Sequence, residues 1–235
     1  MMSSAEGSET AAISVVIPVL NATSTLARTL ESVGEVGGLI RETIVVDGGS
    51  RDGTALLAEG AGARVIASAP GRGVQLAAGA AAASAPWLLF LHADTVLGRG
   101  WFAEVAAFVS APGHRDRAAA FRFALDDPAP AARRVERLVA WRCRRWGLAY
   151  GDQGLLIGRA LYDRVGGFRP LPLMEDVDLV RRIGRRRLTI LRATAVTSAA
   201  RYRRDGWWLR PARNLCCLSL YFMGVPPRTI AWLYR

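Results

Sequence analysis

Acidic side chains occur in this sequence at positions that burial alone does not explain. Asp47 follows the run Thr43-Ile44-Val45-Val46, and Asp94 follows Leu88-Leu89-Phe90-Leu91 with His92 two places before it. A third group, Glu175, Asp176 and Asp178, comes directly after Leu171-Pro172-Leu173-Met174, an apolar segment stiffened by proline. One carboxylate with an imidazole is a partial site for a divalent metal. A carboxylate beside an apolar loop has its charged form disfavoured, which lifts its pKa toward that of a working general base. Plainer readings stand beside these. A carboxylate after a strand often caps the next helix, and acids at a helix start are favoured by the helix dipole. Arg72, between Gly71 and Gly73 and ahead of a helix, suits either a diphosphate contact or a solvated loop.

These residues need elements to hold them. Residues 13–19 read as a buried strand, and 23–34 as a helix with Leu26, Leu30 and Val33 at helical spacing. Strands are expected at 43–46, 64–67, 87–91 and 118–125, and helices at 74–84, 100–110 and 131–146. A further helix starts near Glu175. Apolar strands alternating with helices imply an α/β protein with a mostly parallel sheet covered on both faces. In such sheets ligands bind beyond the carboxyl ends of the strands, where Asp47 and Asp94 fall.

Composition narrows the classes. All 31 basic residues are arginine, and the net charge is +11. Residues 1–130 carry a net of −4 and residues 131–235 a net of +15, so an anionic partner is expected. Cys143, Cys216 and Cys217 form neither a disulfide framework nor, with only His92 and His114, a zinc cluster. Absence of lysine removes a P-loop enzyme, and no Gly-x-Gly-x-x-Gly follows the first strand, against a dinucleotide oxidoreductase. A methyltransferase would leave His92, Asp94 and Glu175-Asp176 unexplained. A nucleotidyltransferase, and a non-catalytic basic protein that binds membrane or nucleic acid, remain as alternatives.

The segments ISVVIPVLN (13–21), TIVVDGGSRDGT (43–54), LLFLHADT (88–95) and GGF followed by MEDVDL (166–179) come in a telling order. With them the chain resembles the family 2 glycosyltransferases, of GT-A fold. GRGVQLAAGAAAA (71–83) and GDQG (151–154) are similar to a compact bacterial subgroup. The resemblance implies a nucleotide-sugar site of Pro18, Asn21, Asp47, Gly48, Asp52, Arg72, His92 and Asp94. It implies Asp94 as the last aspartate of a D-x-D metal motif, with His92 in place of the first, holding Mg or Mn. It implies Asp176 as the catalytic base of an inverting transfer, with Glu175 as fallback. Asp94 and Asp176 are then expected on opposite sides of one sugar.

Other expectations concern the acceptor and the ends of the chain. Asp152 and Gln153, with Leu173 and Met174, are expected to meet the hydroxyl-bearing acceptor. The domain is expected over 13–200, as a nucleotide-sugar half (13–95) and an acceptor half (96–200), after a disordered segment 1–12. Residues 201–235 read as a basic, aromatic, helical tail. Its apolar run 215–225 is about half of the roughly 20 residues that cross a bilayer. The tail suits contact with an anionic membrane and a lipid or lipid-linked acceptor, or packing on the domain. No nucleic-acid partner is expected, and the location is expected to be cytoplasmic, with peripheral contact at the inner membrane face as the tail's second option.

Overall fold

The computed structural model describes residues 13–34 and 38–234; the expected disordered segment 1–12 lies outside them. A single eight-stranded sheet organises the described chain, in the order β3-β2-β1-β4-β7-β6-β8-β5. Its strands are β1 (Ile13–Val19), β2 (Ile40–Asp47), β3 (Arg64–Ala67), β4 (Trp87–Phe90), β5 (Thr95–Leu97), β6 (Ala118–Leu125), β7 (Leu155–Gly158) and β8 (Leu188–Thr197). β1, β2, β3 and β4 pair in parallel, as do β6 and β8, while β7 and β5 run against their neighbours.

Helices α1 (Thr23–Gly34), α2 (Thr54–Gly60) and α4 (Trp101–Ser110) cover one face. Helices α3 (Arg72–Ala82), α6 (Arg159–Arg164) and α7 (Glu175–Ile183) cover the other. The two-residue alternation of a strand decides which is which. Ile13, Val15, Ile17 and Val19 of β1 pack toward α1, and Val16 packs toward α3. Gly79 of α3 lies over Val16 and Val46, where a Cβ would overlap Val16 Cγ1. Only glycine lets this helix sit so close to the sheet.

α5 (Pro130–Trp146) packs on the outer part of the sheet through Val135, Val139 and Cys143. The tail forms α8 (Ala200–Asp205), α9 (Leu209–Phe222) and α10 (Pro227–Tyr234). Cys217, Leu218 and Ile230 of the tail are buried with Leu148, Met174 and Val177. Four elements were not expected from the sequence: β5, β7, β8 and α6. β5, β7 and α6 have three, four and six residues, too few for a period to show, and β8, with ten, alternates burial irregularly. β2 also starts earlier than expected and α3 begins at Arg72 rather than residue 74.

Candidate active site

The floor of the site is made where β1 and β2 end. Gln75, buried in α3, donates through Nε2 to the carbonyls of Val19 and Val46, both at 2.8 Å. One amide thus bolts the two strand ends together. Gly48 lies against that amide, 3.1 Å from Nε2 for an added Cβ. Sequence reasoning assigned nothing to Gln75; its one signal was a polar side chain on the buried face of an alanine-rich helix.

Beyond the floor, Asn21, Asp47 and Asp52 share one pair of loops. Ser50 donates to Asp47 Oδ1 from its N–H (3.0 Å) and its hydroxyl (2.6 Å). Asn21, at φ 51°, accepts the Arg51 N–H on Oδ1 at 2.9 Å, and its own N–H donates to Ser50 Oγ. Asp52 accepts from the Thr54 hydroxyl (2.5 Å) and N–H on one oxygen, and from Thr23 on the other. The Thr54 bond, with help from Thr23, holds its carboxyl down to about 2. Asp52 therefore ties the starts of α1 and α2, a scaffold task that the sequence did not separate from nucleotide contact. Asn21 and Asp47 stand at this rim, while Gly48 is buried behind them and Pro18 is buried in β1 opposite Val46.

The wall is a pair of helix starts. Arg72 Nε, at the start of α3, donates to Glu175 Oε1 at 2.7 Å, and the Glu175 side chain is 2% exposed. Neither form expected for Arg72 included this partner. Glu175 Oε2 is buried with no hydrogen bond. Burial, reinforced by Asp176 and opposed by Arg72, lifts the Glu175 carboxyl to about 7. Glu175 reaches solvent only through its neighbours, so it suits tuning better than direct proton exchange.

The centre forms around a short 3-10 turn, Gly151–Gln153. The Gly151 N–H donates to Asp176 Oδ2 at 2.7 Å. A Cβ at Gly151 would overlap His92 Nε2 and lie 3.4 Å from Asp176 Oδ2. The ends of β4 and the start of α7 therefore bring His92 and Asp176 to the same spot, in a small hollow with Tyr150 and Glu175. Burial, with the charges of Arg72 and Arg201, lowers His92 to about 3, so its imidazole is neutral at pH 7. Met174, directly before Glu175, has φ 65°, a left-handed backbone that non-glycine residues rarely take. Such strain is characteristic of functional loops.

Asp94 lies elsewhere than expected. It lines a second hollow with Arg28, Thr25, Asp126 and Ser198 rather than that of His92 and Asp176. Burial lifts Asp152 to about 6, against the pull of Arg142 and with the charges of both Asp176 and Asp94. Asp152 Oδ1 is buried without a hydrogen bond.

Two acceptor expectations are corrected. Gln153 is 1% exposed and turned inward. Its Nε2 donates to the Phe121 carbonyl at 2.9 Å, and its Oε1 accepts from Arg142 and Cys143 at 3.2 Å each. At that burial no atom of its side chain is open to a ligand. Met174 packs with Cys217, Leu218 and Ile230 of the tail, with Leu173 against the same cluster. Both thereby support α7 from behind. Asp178, bonded to Arg182 and Arg169, is likewise structural.

Known proteins can be set against this geometry. The chain is 36% identical over 94 residues to glucosyl-3-phosphoglycerate synthase of Mycobacterium tuberculosis, and 34% identical to that of Mycolicibacterium smegmatis. Each match takes in 36% of this chain, and it spans only 29% and 31% of those relatives' lengths. In structure it is similar to the M. tuberculosis synthase in complex with Mn2+ and UDP-glucose, with a TM-score of 0.61 over 92% of this chain and 80% of that one, at 21% identity. The same synthase with Mn2+, UDP and glucosyl-3-phosphoglycerate gives 0.56 over 80% and 70%, at 23% identity. These likenesses show the fold, a mostly parallel GT-A-type sheet flanked by helices. Residues 14–171, two thirds of the chain, match the family described as Glycosyl transferase family 2, and the chain belongs to that family.

Proposed function

We propose that this chain is an inverting glycosyltransferase, moving a sugar from a nucleotide-diphosphate sugar to a hydroxyl acceptor in the cytoplasm. The observation that carries the reading is the meeting of the His92 imidazole and the Asp176 carboxylate at Gly151, beyond the carboxyl end of β4. The nucleotide is held by Asn21 and Asp47 over the strand ends that Pro18 and Gly48 shape, and Arg72 stands where the diphosphate passes. UDP-glucose is the first donor to try, because the synthase of similar fold binds it.

Asp94 supplies a hard oxygen for a divalent ion, Mg or Mn, while His92, neutral at pH 7, opens into the hollow of Asp176 instead. Among the described residues no three such side chains converge. The protein would thus supply few ligands, and water and phosphate oxygens the rest, which is the habit of magnesium. When bound, the ion neutralises the charge that develops on the leaving diphosphate.

Asp176 accepts the acceptor's hydroxyl proton as that oxygen attacks the anomeric carbon. The new carbon–oxygen bond forms as the bond to the diphosphate breaks, and its electron pair leaves with the diphosphate. One displacement from the opposite face inverts the anomeric centre. The Gly151 N–H on Oδ2 and the Val177 N–H on Oδ1 together fix the orientation of the Asp176 carboxylate. Asp152 stands nearby for the acceptor.

A panel of nucleotide sugars, assayed with and without Mg or Mn, tests the reading. Turnover is expected with at least one donor and to need metal. Asp94→Ala is expected to lower metal-dependent turnover by about 100-fold or more. Full metal-independent activity in that variant would remove Asp94 from the site.

A further inference from the structure

α9 turns an uncharged stripe to solvent. Trp208, Leu215, Phe222 and Met223 recur at helical spacing and are between 49% and 74% exposed. The exposed positions between them, Ala212, Cys216 and Ser219, carry no charge either. On α10, Trp232 and Leu233 are 74% and 52% exposed. A groove of about 660 Å³ between Trp146, Val180, Leu215 and Phe222 carries this apolar surface inward, and Arg181 and Arg185 line it. Arg181 also stands 4.8 Å above the Phe222 ring. Helices that only needed to pack on the domain would face solvent with polar side chains. Their buried sides are already served, since Cys217, Leu218 and Ile230 close on Met174 and Val177.

Charge selects the occupant. Arg181 and Arg185 border the apolar face at the groove, and Arg228 is exposed on α10 four residues before Trp232. A second copy seated there would bring like charges together, which is unfavourable. A partner offering apolar depth under a negative layer complements both features. No described helix is long and apolar enough to cross a membrane, so the contact lies in the interface plane.

We propose that α9 and α10 seat the protein on an anionic phospholipid bilayer. Tryptophan, leucine and methionine side chains enter the boundary between headgroups and acyl chains, and the surrounding arginines meet the phosphates. The same helices brace the start of α7, so the docked face lies behind Asp176. This extends the proposed transfer by naming where it takes place, and points to an acceptor presented at that surface. The docking itself requires neither donor nor acceptor.

Vesicle flotation tests it with the full chain. Phosphatidylcholine vesicles containing phosphatidylglycerol are compared with phosphatidylcholine alone. The wild type is expected to float with the anionic vesicles only. Combined Leu215→Ser, Met223→Ser and Trp232→Ser substitutions are expected to reduce this about tenfold or more, with an unchanged melting temperature. A wild type that stays at the bottom, or a triple variant that floats equally well, overturns the proposal. A wild-type dimer that the triple variant converts to monomer overturns it too, in favour of a second copy. None of these outcomes depends on sugar transfer, so failure here leaves the glycosyltransferase reading to its own assay.

Discussion

Gly151 is the residue on which the site's geometry turns. Its N–H orients Asp176, and its missing side chain is what leaves room for His92. Gly151→Ala is expected to lower kcat by about 100-fold through displaced partners, as small misplacements in a site do. Its overpacking cost is expected at about 1–3 kcal/mol, read by denaturant unfolding. Activity equal to the wild type would show that His92 and Asp176 need not be held together. The acids of this centre were legible because a carboxylate after an apolar run is conspicuous. Gly151's task was not, because it is defined by two side chains about 60 and 25 positions away that only the folded chain brings near. Gln153 was misread for a related reason: its type can bond a ligand or a backbone, and burial alone decides between them.

At the scale of elements, the strand–helix rhythm of the first half was readable, since each strand is apolar and each helix shows its own period. The second half was less so. β7 and β5 are antiparallel insertions too short to carry a pattern, yet β7 links the two parallel sets of strands. The tie between β1 and β2 was also hidden, because it comes from a helix rather than from either strand. Gln75→Leu keeps the volume and removes the two bonds to Val19 and Val46. Unfolding is expected to become easier by about 1–3 kcal/mol, because both carbonyls lose this donor while that of Val19 keeps the Gly48 N–H. Donor affinity should fall in the same variant, since Asn21 and Asp47 stand on those strand ends. A loss under about 0.5 kcal/mol would mean that the backbone ladder alone holds them.

For the whole molecule, the link that matters is between the α3 start and the α7 start. Arg72 and Glu175 join the part of the chain that resembles a nucleotide site to the part that carries the proposed base, Asp176. Glu175 holds its proton more tightly folded than unfolded, at about 7 against an ordinary 4.5. Its contribution to stability is therefore fully present below pH 4.5 and declines as pH rises through 7. In chelator, the melting temperature of Glu175→Gln is expected to fall less than that of the wild type across pH 5 to 8. Parallel curves would place the proton elsewhere. The sequence carried the family and the identity of these acids, but not that Asp94 and Asp176 line two separate hollows. That leaves the base as the claim on which the mechanism stands, and Asp176→Asn tests it most directly. With the nucleotide sugar and metal identified by the donor panel, titration calorimetry is expected to show donor binding unchanged, while single-turnover transfer slows by about 100- to 10,000-fold. Transfer at the wild-type rate in that variant would contradict the account.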